Sequence, residues 1–228
     1  KLNDILQMSD VLVFDESKAF SNLVFNSNIF VKIISKYSDI LKLEFPSLAE
    51  FSSRMNRPIL LTGLIENWAA LQKWKIPSFW SLIAGHRFFP VEIGESYLST
   101  KWSQDIIQLN QYLQKYVFDE ANTEIAYIAQ HNWVHQVPSL LNDFEIPEIC
   151  DIFLSDYTDS VLTHLWFGMK QTLSPLHFDK YNNVFSQVVG SKYLIIVDPI
   201  YSPKLSDGKE NSSNVDPRKL VQFLKENN

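Results

Sequence analysis

A mainly β fold with flanking helices is predicted by three features of the sequence. After Ile125 the chain breaks into short apolar runs of strand length, IAYIAQ, VLTHLWFG, NVFSQVV and KYLIIVD. Before that point, apolar residues recur at helical spacing in several stretches. The 228 residues are 46% hydrophobic with 16 Phe, 9 Tyr and 6 Trp, which suits one large core or two modest ones and excludes a disordered chain.

Residues 1–44 read as an N-terminal helical segment. NLVFNSNIFVKIISKYSDILKL sets Leu23, Phe25, Ile29, Phe30, Ile33, Ile34 and Tyr37 at helical spacing. Residues 45–228 read as the main domain. Pro46-Ser47 offers a helix start for SLAEFSSRM, and RPILLTGL reads as a short buried strand. Ser78 is placed to cap FWSLIAG, which Gly85 would end. PVEIG alternates like a strand. Ser103 is placed to cap a helix over QDIIQLNQYLQKYVF, with Ile106, Leu109, Leu113, Tyr116 and Val117 as its apolar stripe. SPKLSDGKENSSNVDP is polar and turn-rich, hence a surface loop, and RKLVQFLKEN reads as a short closing helix.

Composition excludes several function classes. With 6 Gly and neither GxGxxG nor GxxxxGK[ST], the chain has no glycine-rich phosphate cradle. A net charge of −6 argues against nucleic acid as a partner and suits a cationic peptide better. Cys150 is the single cysteine, which rules out an internal disulfide or a cysteine-rich zinc site and fits a reducing compartment. No apolar run approaches the roughly 18 residues of a membrane span, and no signal-peptide pattern opens the chain, so it reads as a soluble intracellular protein. The chain opens on Lys1 rather than Met, which reads as a piece of a longer product or a processed form.

SPLHFDKYNNVF carries His177 and Asp179 two residues apart. With 5 His and 14 Asp, roughly 0.3 such pairs arise by chance, so the pair by itself is a weak metal signal. Gly190-Ser191 fits a two-residue type II′ hairpin turn, which would pair Val189 with Lys192, Gln187 with Leu194 and Asn183 with Asp198. Lys192 would then share a face with Phe185, Leu194 and Ile196, where a buried cation needs an anionic partner, or it would sit at an exposed hairpin end. His131 and His135, four residues apart, have a spacing that could bind metal on a helix but read first as core or pocket-wall residues; His164 reads as a wall residue, His86 as a helix-end residue, and Trp166 as a core residue before a channel-lining one.

YIAQH, followed by WFGMKQTLSPLHFDKYNNVFSQVVGSKYLIIVDP, resembles the Jumonji-C (JmjC) family of Fe(II)- and 2-oxoglutarate-dependent oxygenases. RPILLTGLIENW, PVEIG, WSQ, IPEIC and NSSNVD extend the likeness from about Phe45 onward, toward the branch assigned to protein-arginine hydroxylation and histone lysine demethylation. The resemblance implies a double-stranded β-helix, the cupin-like jelly roll, for residues 45–228. It implies His177 and Asp179 as two of three iron ligands, with strand alternation placing both on one face. It implies 2-oxoglutarate held by Lys192, Tyr127, Ser174 and Asn183. Lys192 would serve as the point charge for the distal carboxylate. The expected chemistry consumes O2, releases CO2 from 2-oxoglutarate and hydroxylates a C–H bond of a protein side chain, arginine first, in the nucleus or cytoplasm.

The family's third ligand is a histidine on a late barrel strand, and no histidine follows His177. The expectation is therefore that the C-terminal barrel strands are missing from this chain, which by itself would be inactive, and that the intact parent is the oxygenase. The alternative is a JmjC-like binding or scaffold module without a complete metal site.

Overall fold

The computed structural model describes residues 28–34, 40–96, 99–154, 160–206 and 211–226. The chain forms two compact units built from interleaved stretches. One comprises Ala69–Asp143 and Thr163–Ser174; the other comprises Asn26–Trp68, Phe144–Leu162 and Pro175–Asn228.

In chain order the elements before the midpoint are β1 (Asn28–Ile34), β2 (Leu41–Glu44), α1 (Leu48–Arg54), β3 (Ile59–Thr62), α2 (Ala70–Lys73), α3 (Pro77–Ala84), β4 (Phe88–Ile93), β5 (Ser103–Gln108) and α4 (Leu109–Tyr112). They are followed by β6 (Ala126–His131), α5 (Trp133–Gln136), β7 (Leu165–Gly168), β8 (Ser191–Val197), α6 (Ser202–Leu205) and α7 (Leu220–Glu226). A π-helical turn, Leu113–Phe118, continues α4, and short 3-10 turns fill several connections.

The first unit is a four-stranded antiparallel sheet in the order β5-β4-β6-β7 with helices against one face. Alternation along the strands decides which face. Phe89 and Val91 on β4, with Ala126 and Ile128 on β6, are fully buried. The Trp133 ring stacks on Phe89 with centroids 4.1 Å apart. Trp80 of α3 meets Trp133 and Phe167 edge-on at 5.3 and 5.0 Å. The Tyr112 hydroxyl donates to the Ala126 carbonyl at 2.9 Å, so the one polar atom of that buried ring is satisfied. At the edge of this core, buried Asp143 accepts from Lys73 Nζ at 2.5 Å and from Trp74 Nε1 at 3.0 Å. Its carbonyl takes the Ala70 amide at 2.9 Å.

In the second unit β2 and β3 pair in parallel from Leu41↔Ile59 to Glu44↔Thr62. Ser47 caps α1 by accepting the Glu50 amide at 3.2 Å, as the sequence predicts. Phe51 of α1 and Ile149 of the 3-10 turn Glu148–Phe153 are both buried, and Trp68 packs on Phe144 at 5.3 Å. Strand β8 pairs in parallel with β1, from Asn28↔Ser191 to Ile34↔Val197. α7 buries Leu220 and Leu224.

Several expectations are corrected. Residues 1–27 and 35–39 lie outside the described residues, but 28–34 and 41–44, expected as helix, are strands. IFVKII is dominated by β-branched residues, and a full-length ladder with β8 outweighs the helical spacing. Ser103 opens β5, not a helix. Ser103–Gln108 pairs residue by residue with β4, and the helix starts only at Leu109, behind Gln108. α3 begins at Pro77, with Ile76 rather than Ser78 at the cap position, because proline supplies a preset φ at the first helical residue. The hairpin at Gly190 does not form. Gly190 has the expected positive φ of 80°, but residues 182–189 are in no strand and β8 pairs with β1 instead. Among the described residues the sheets are separate and no closed barrel is present.

Candidate functional site

In the first unit Tyr127 sits at the centre of the sheet face opposite the core. It lies across from Glu92 on β4 and from Gly168 on β7. Burial pushes the Tyr127 phenol well above its ordinary value, and the Glu92 carboxylate adds to the shift, so the hydroxyl stays a protonated donor at working pH. Glu92 is itself pushed up by burial, with the Trp102 indole acting in the opposite direction. Ser174 is exposed and follows Leu173, whose amide donates to the Glu95 carbonyl at 3.3 Å. That bond brings the Ser174 segment to the loop that leaves β4 just beyond Glu92, Tyr127's cross-strand partner.

In the second unit His177 and Asp179 lie in an extended segment pinned against 211–213. The Phe178 amide donates to the Asn211 carbonyl at 3.0 Å, and the Ser213 amide donates to the Leu176 carbonyl at 2.9 Å. His177 makes an isolated antiparallel bridge with Ser212. The paired stretch runs from Leu176 to Phe178, and the His177 and Asp179 side chains approach one another at its end. The His177 ring donates Nδ1–H to the Pro175 carbonyl at 2.7 Å. A carbonyl can only accept, so this bond leaves the lone pair of a neutral ring on Nε2. Nε2 is 3.8 Å from Asp179 Oδ1. The other carboxylate oxygen, Oδ2, accepts from Asn183 Nδ2 at 3.4 Å.

This donor set fits two of the three protein ligands of a non-haem iron centre. One imidazole nitrogen and one carboxylate oxygen stand within the reach of a single ion with bonds of about 2.1 Å each. Each also has the supporting hydrogen bond that orients a ligand from behind. His177 and Asp179 are both about half exposed. Among the described residues no group of three His, Cys, Asp or Glu side chains could hold a metal.

Lys192 lies half-buried on β8, with Nζ 5.3 Å from the centroid of Phe185, and burial pulls its ammonium below the ordinary lysine value. The structure thus groups Tyr127 with Ser174 in one unit, and His177, Asp179, Asn183 and Lys192 in the other. The amide of Asn183, expected at the cosubstrate, donates to Asp179 Oδ2.

The remaining histidines are wall or surface residues. His131 Nε2 bonds Gln136 Oε1 at 2.8 Å, and its ring lies edge-on to Phe89 at 5.4 Å. His164 lies edge-on to Trp166 at 6.3 Å. His135 and His86 are exposed, His86 just past the α3 terminus. Trp166, expected in the core, is 40% exposed: it shares Gly168's side of β7, whereas Phe167 takes the core side.

Sequence reasoning missed Glu92. The signal was present in FFPVEI, where Phe88, Pro90 and Glu92 fall on one face of a strand. A carboxylate in such an alternating set marks a face that meets something polar.

An antiparallel sheet with helices on one side is consistent with the jelly roll of a cupin-like protein. Residues 47–225 match the family described as Cupin-like domain, and the chain belongs to that family, among its JmjC members. It is similar to Jumonji C domain-containing protein 5 of Drosophila melanogaster, 34% identical over 197 residues that cover 82% of this chain and 49% of that protein. It is also similar to lysine-specific demethylase 8 of Xenopus tropicalis, 34% identical over 195 residues (82% and 43% of the two chains). Lysine-specific demethylase JMJ30 of Arabidopsis thaliana is 31% identical over 164 residues (70% and 38%). The chain spans about half the length of the curated relatives it matches. Among the described residues no helix is long and apolar enough to cross a membrane.

Proposed function

We propose that the intact protein is an Fe(II)- and 2-oxoglutarate-dependent oxygenase that hydroxylates an arginine side chain of a protein substrate. The observation that carries this reading is the His177–Asp179 pair, with the imidazole tautomer set by the Pro175 carbonyl and the carboxylate held by Asn183. His177 Nε2 and Asp179 Oδ1 would hold the iron. Iron and 2-oxoglutarate, once bound, supply the oxidising power for inserting oxygen into a C–H bond.

The chain's own residues supply binding and orientation. Lys192 is the point charge proposed for the distal carboxylate of the cosubstrate, and the protonated Tyr127 hydroxyl and Ser174, in the other unit, are proposed as its hydrogen-bond donors on the strength of the family resemblance. Glu92, on the same sheet face as Tyr127, is the carboxylate that receives the guanidinium of the substrate. Arginine suits it because a planar fork of N–H groups matches a carboxylate, and pairing relieves the unfavourable charge of a half-buried Glu. Histone lysine demethylation is the second reading, supported by relatives whose names carry that activity.

The test uses the full-length protein with Fe(II), 2-oxoglutarate, and panels of arginine peptides and methyl-lysine peptides, read by mass spectrometry. A gain of one oxygen on arginine, lost in His177→Ala and Asp179→Ala, supports the arginine reading. Loss of methyl groups with no oxygen on arginine selects demethylation, and no modification with no succinate formed sinks both.

A further inference from the structure

The sheet face that carries Tyr127 and Glu92 does not end at them. The β4–β5 register sets Phe88 opposite Gln108, Pro90 opposite Ile106 and Glu92 opposite Gln104, so all six share one face. Its apolar members form a patch on the side away from the helices. Phe88 is 56% exposed and Ile106 69%, and Pro90 is exposed as well. On the reverse of the same strands Phe89 and Val91 are wholly buried, so this exposure is not fraying of the sheet. Large apolar side chains held open on a rigid sheet, continuous with a carboxylate, form a surface that reads a partner.

We infer that this patch docks a large apolar side chain of an extended peptide substrate, placed about two to four residues from the cationic residue held at Glu92. The inference rests on the proposed hydroxylase reading and adds the sequence context of its substrate. Two features commit the surface to a peptide of that kind. The Glu92 carboxylate, on the same face as Phe88 and Pro90, gives charge complementarity to a cationic residue at one end. Pro90 and Phe88 then continue along the same face at about 7 and 14 Å from Glu92, at roughly 3.4 Å per residue, which is also the pitch of an extended peptide lying along β4. β4 is already flanked by β5 and β6, so a peptide on this face meets it through side-chain contact and not by strand addition.

The experiment compares two arginine peptides in the full-length protein, one with Leu or Phe two to four residues from the arginine and one with Ser at those positions. Both hydroxylation (kcat/KM) and binding (fluorescence anisotropy with Mn(II) in place of iron) are measured. A preference of about tenfold for the apolar peptide is expected, which Phe88→Ser with Ile106→Ser should reduce to near parity. Ile106→Thr, exposed and still β-branched, keeps the strand and should give an intermediate ratio. Equal handling of the two peptides by the parent protein, or a preference that survives both variants, overturns the inference while leaving the hydroxylase reading intact. If neither peptide is hydroxylated the functional reading fails, and the binding ratio alone then decides the docking surface.

Discussion

Gly168 lies directly across the β6–β7 ladder from Tyr127, and the Tyr127 ring fills the space where a Gly168 side chain would stand. A Cβ at Gly168, the last residue of edge strand β7, would collide with Cδ2 of that ring, whose own strand β6 is paired on both sides. Gly168→Ala should therefore displace the Tyr127 hydroxyl while leaving the helix-side core untouched. The expected outcome is a 2-oxoglutarate affinity at least as poor as that of Tyr127→Phe, measured by calorimetric titration of the full-length protein. Affinity equal to the parent would show that Tyr127 takes no part in cosubstrate binding.

Lys192 gives a paired stability and binding test. Its folded pKa is depressed by burial, so the unfolded chain holds the proton more tightly. The resulting penalty is complete below the depressed pKa and fades as pH rises through it toward the unfolded value. Lys192→Met should accordingly be at least as stable as the parent at neutral pH, yet bind 2-oxoglutarate on the order of tenfold to a hundredfold more weakly, the range of a lost charged hydrogen bond. Thermal melts and titration measured side by side check both halves.

For Glu92 the same cause, burial of a charge, moves the pKa in the opposite direction. Its folded pKa is raised, so its charge costs nothing below the unfolded pKa and destabilises fully above the raised one. Glu92→Gln should remove that cost and melt higher at neutral pH. The same change should raise KM for arginine peptides and abolish the tightening of peptide binding expected as pH rises through the Glu92 titration. A variant with parent-like KM at every pH would exclude Glu92 from the substrate.

Trp133 tests the core rather than the site. It is fully buried between Phe89, Trp80 and Phe167, and Trp133→Ala should cost about 3–5 kcal/mol in denaturant melts. Asp143→Ala removes two hydrogen bonds to a buried carboxylate and should cost about 2–3 kcal/mol.

What could be read in advance followed the reach of each signal. Ser47 announces α1 three residues from its partner, alternation announces β4, and short apolar runs announce β3, β6 and β8. The same local reading mistook β1 and β5 for helices, because adjacent apolar pairs such as Ile33-Ile34 and Ile106-Ile107 satisfy a helical stripe as well as a strand. Only the partner strand decides between them, and β8 lies far along the chain from β1. At the candidate site, two-residue spacing was enough to put His177 and Asp179 on one side. The Pro175 carbonyl that sets the imidazole tautomer, and the turn of Asn183 back onto Asp179, depend on a loop conformation that no residue pattern encodes.

The interleaving of the two units changes what the stretch between β6 and β7 is for. Residues 144–162 look like a long connector, yet Phe144 is the ring against which Trp68 packs, and Ile149 is buried in the unit that holds α1. A spliced or shortened form lacking this stretch would keep every strand of the four-stranded sheet and still strip the core from the unit that carries His177 and Asp179. No single cut in the backbone releases either unit whole, so neither can be inherited, exchanged or lost as a contiguous cassette.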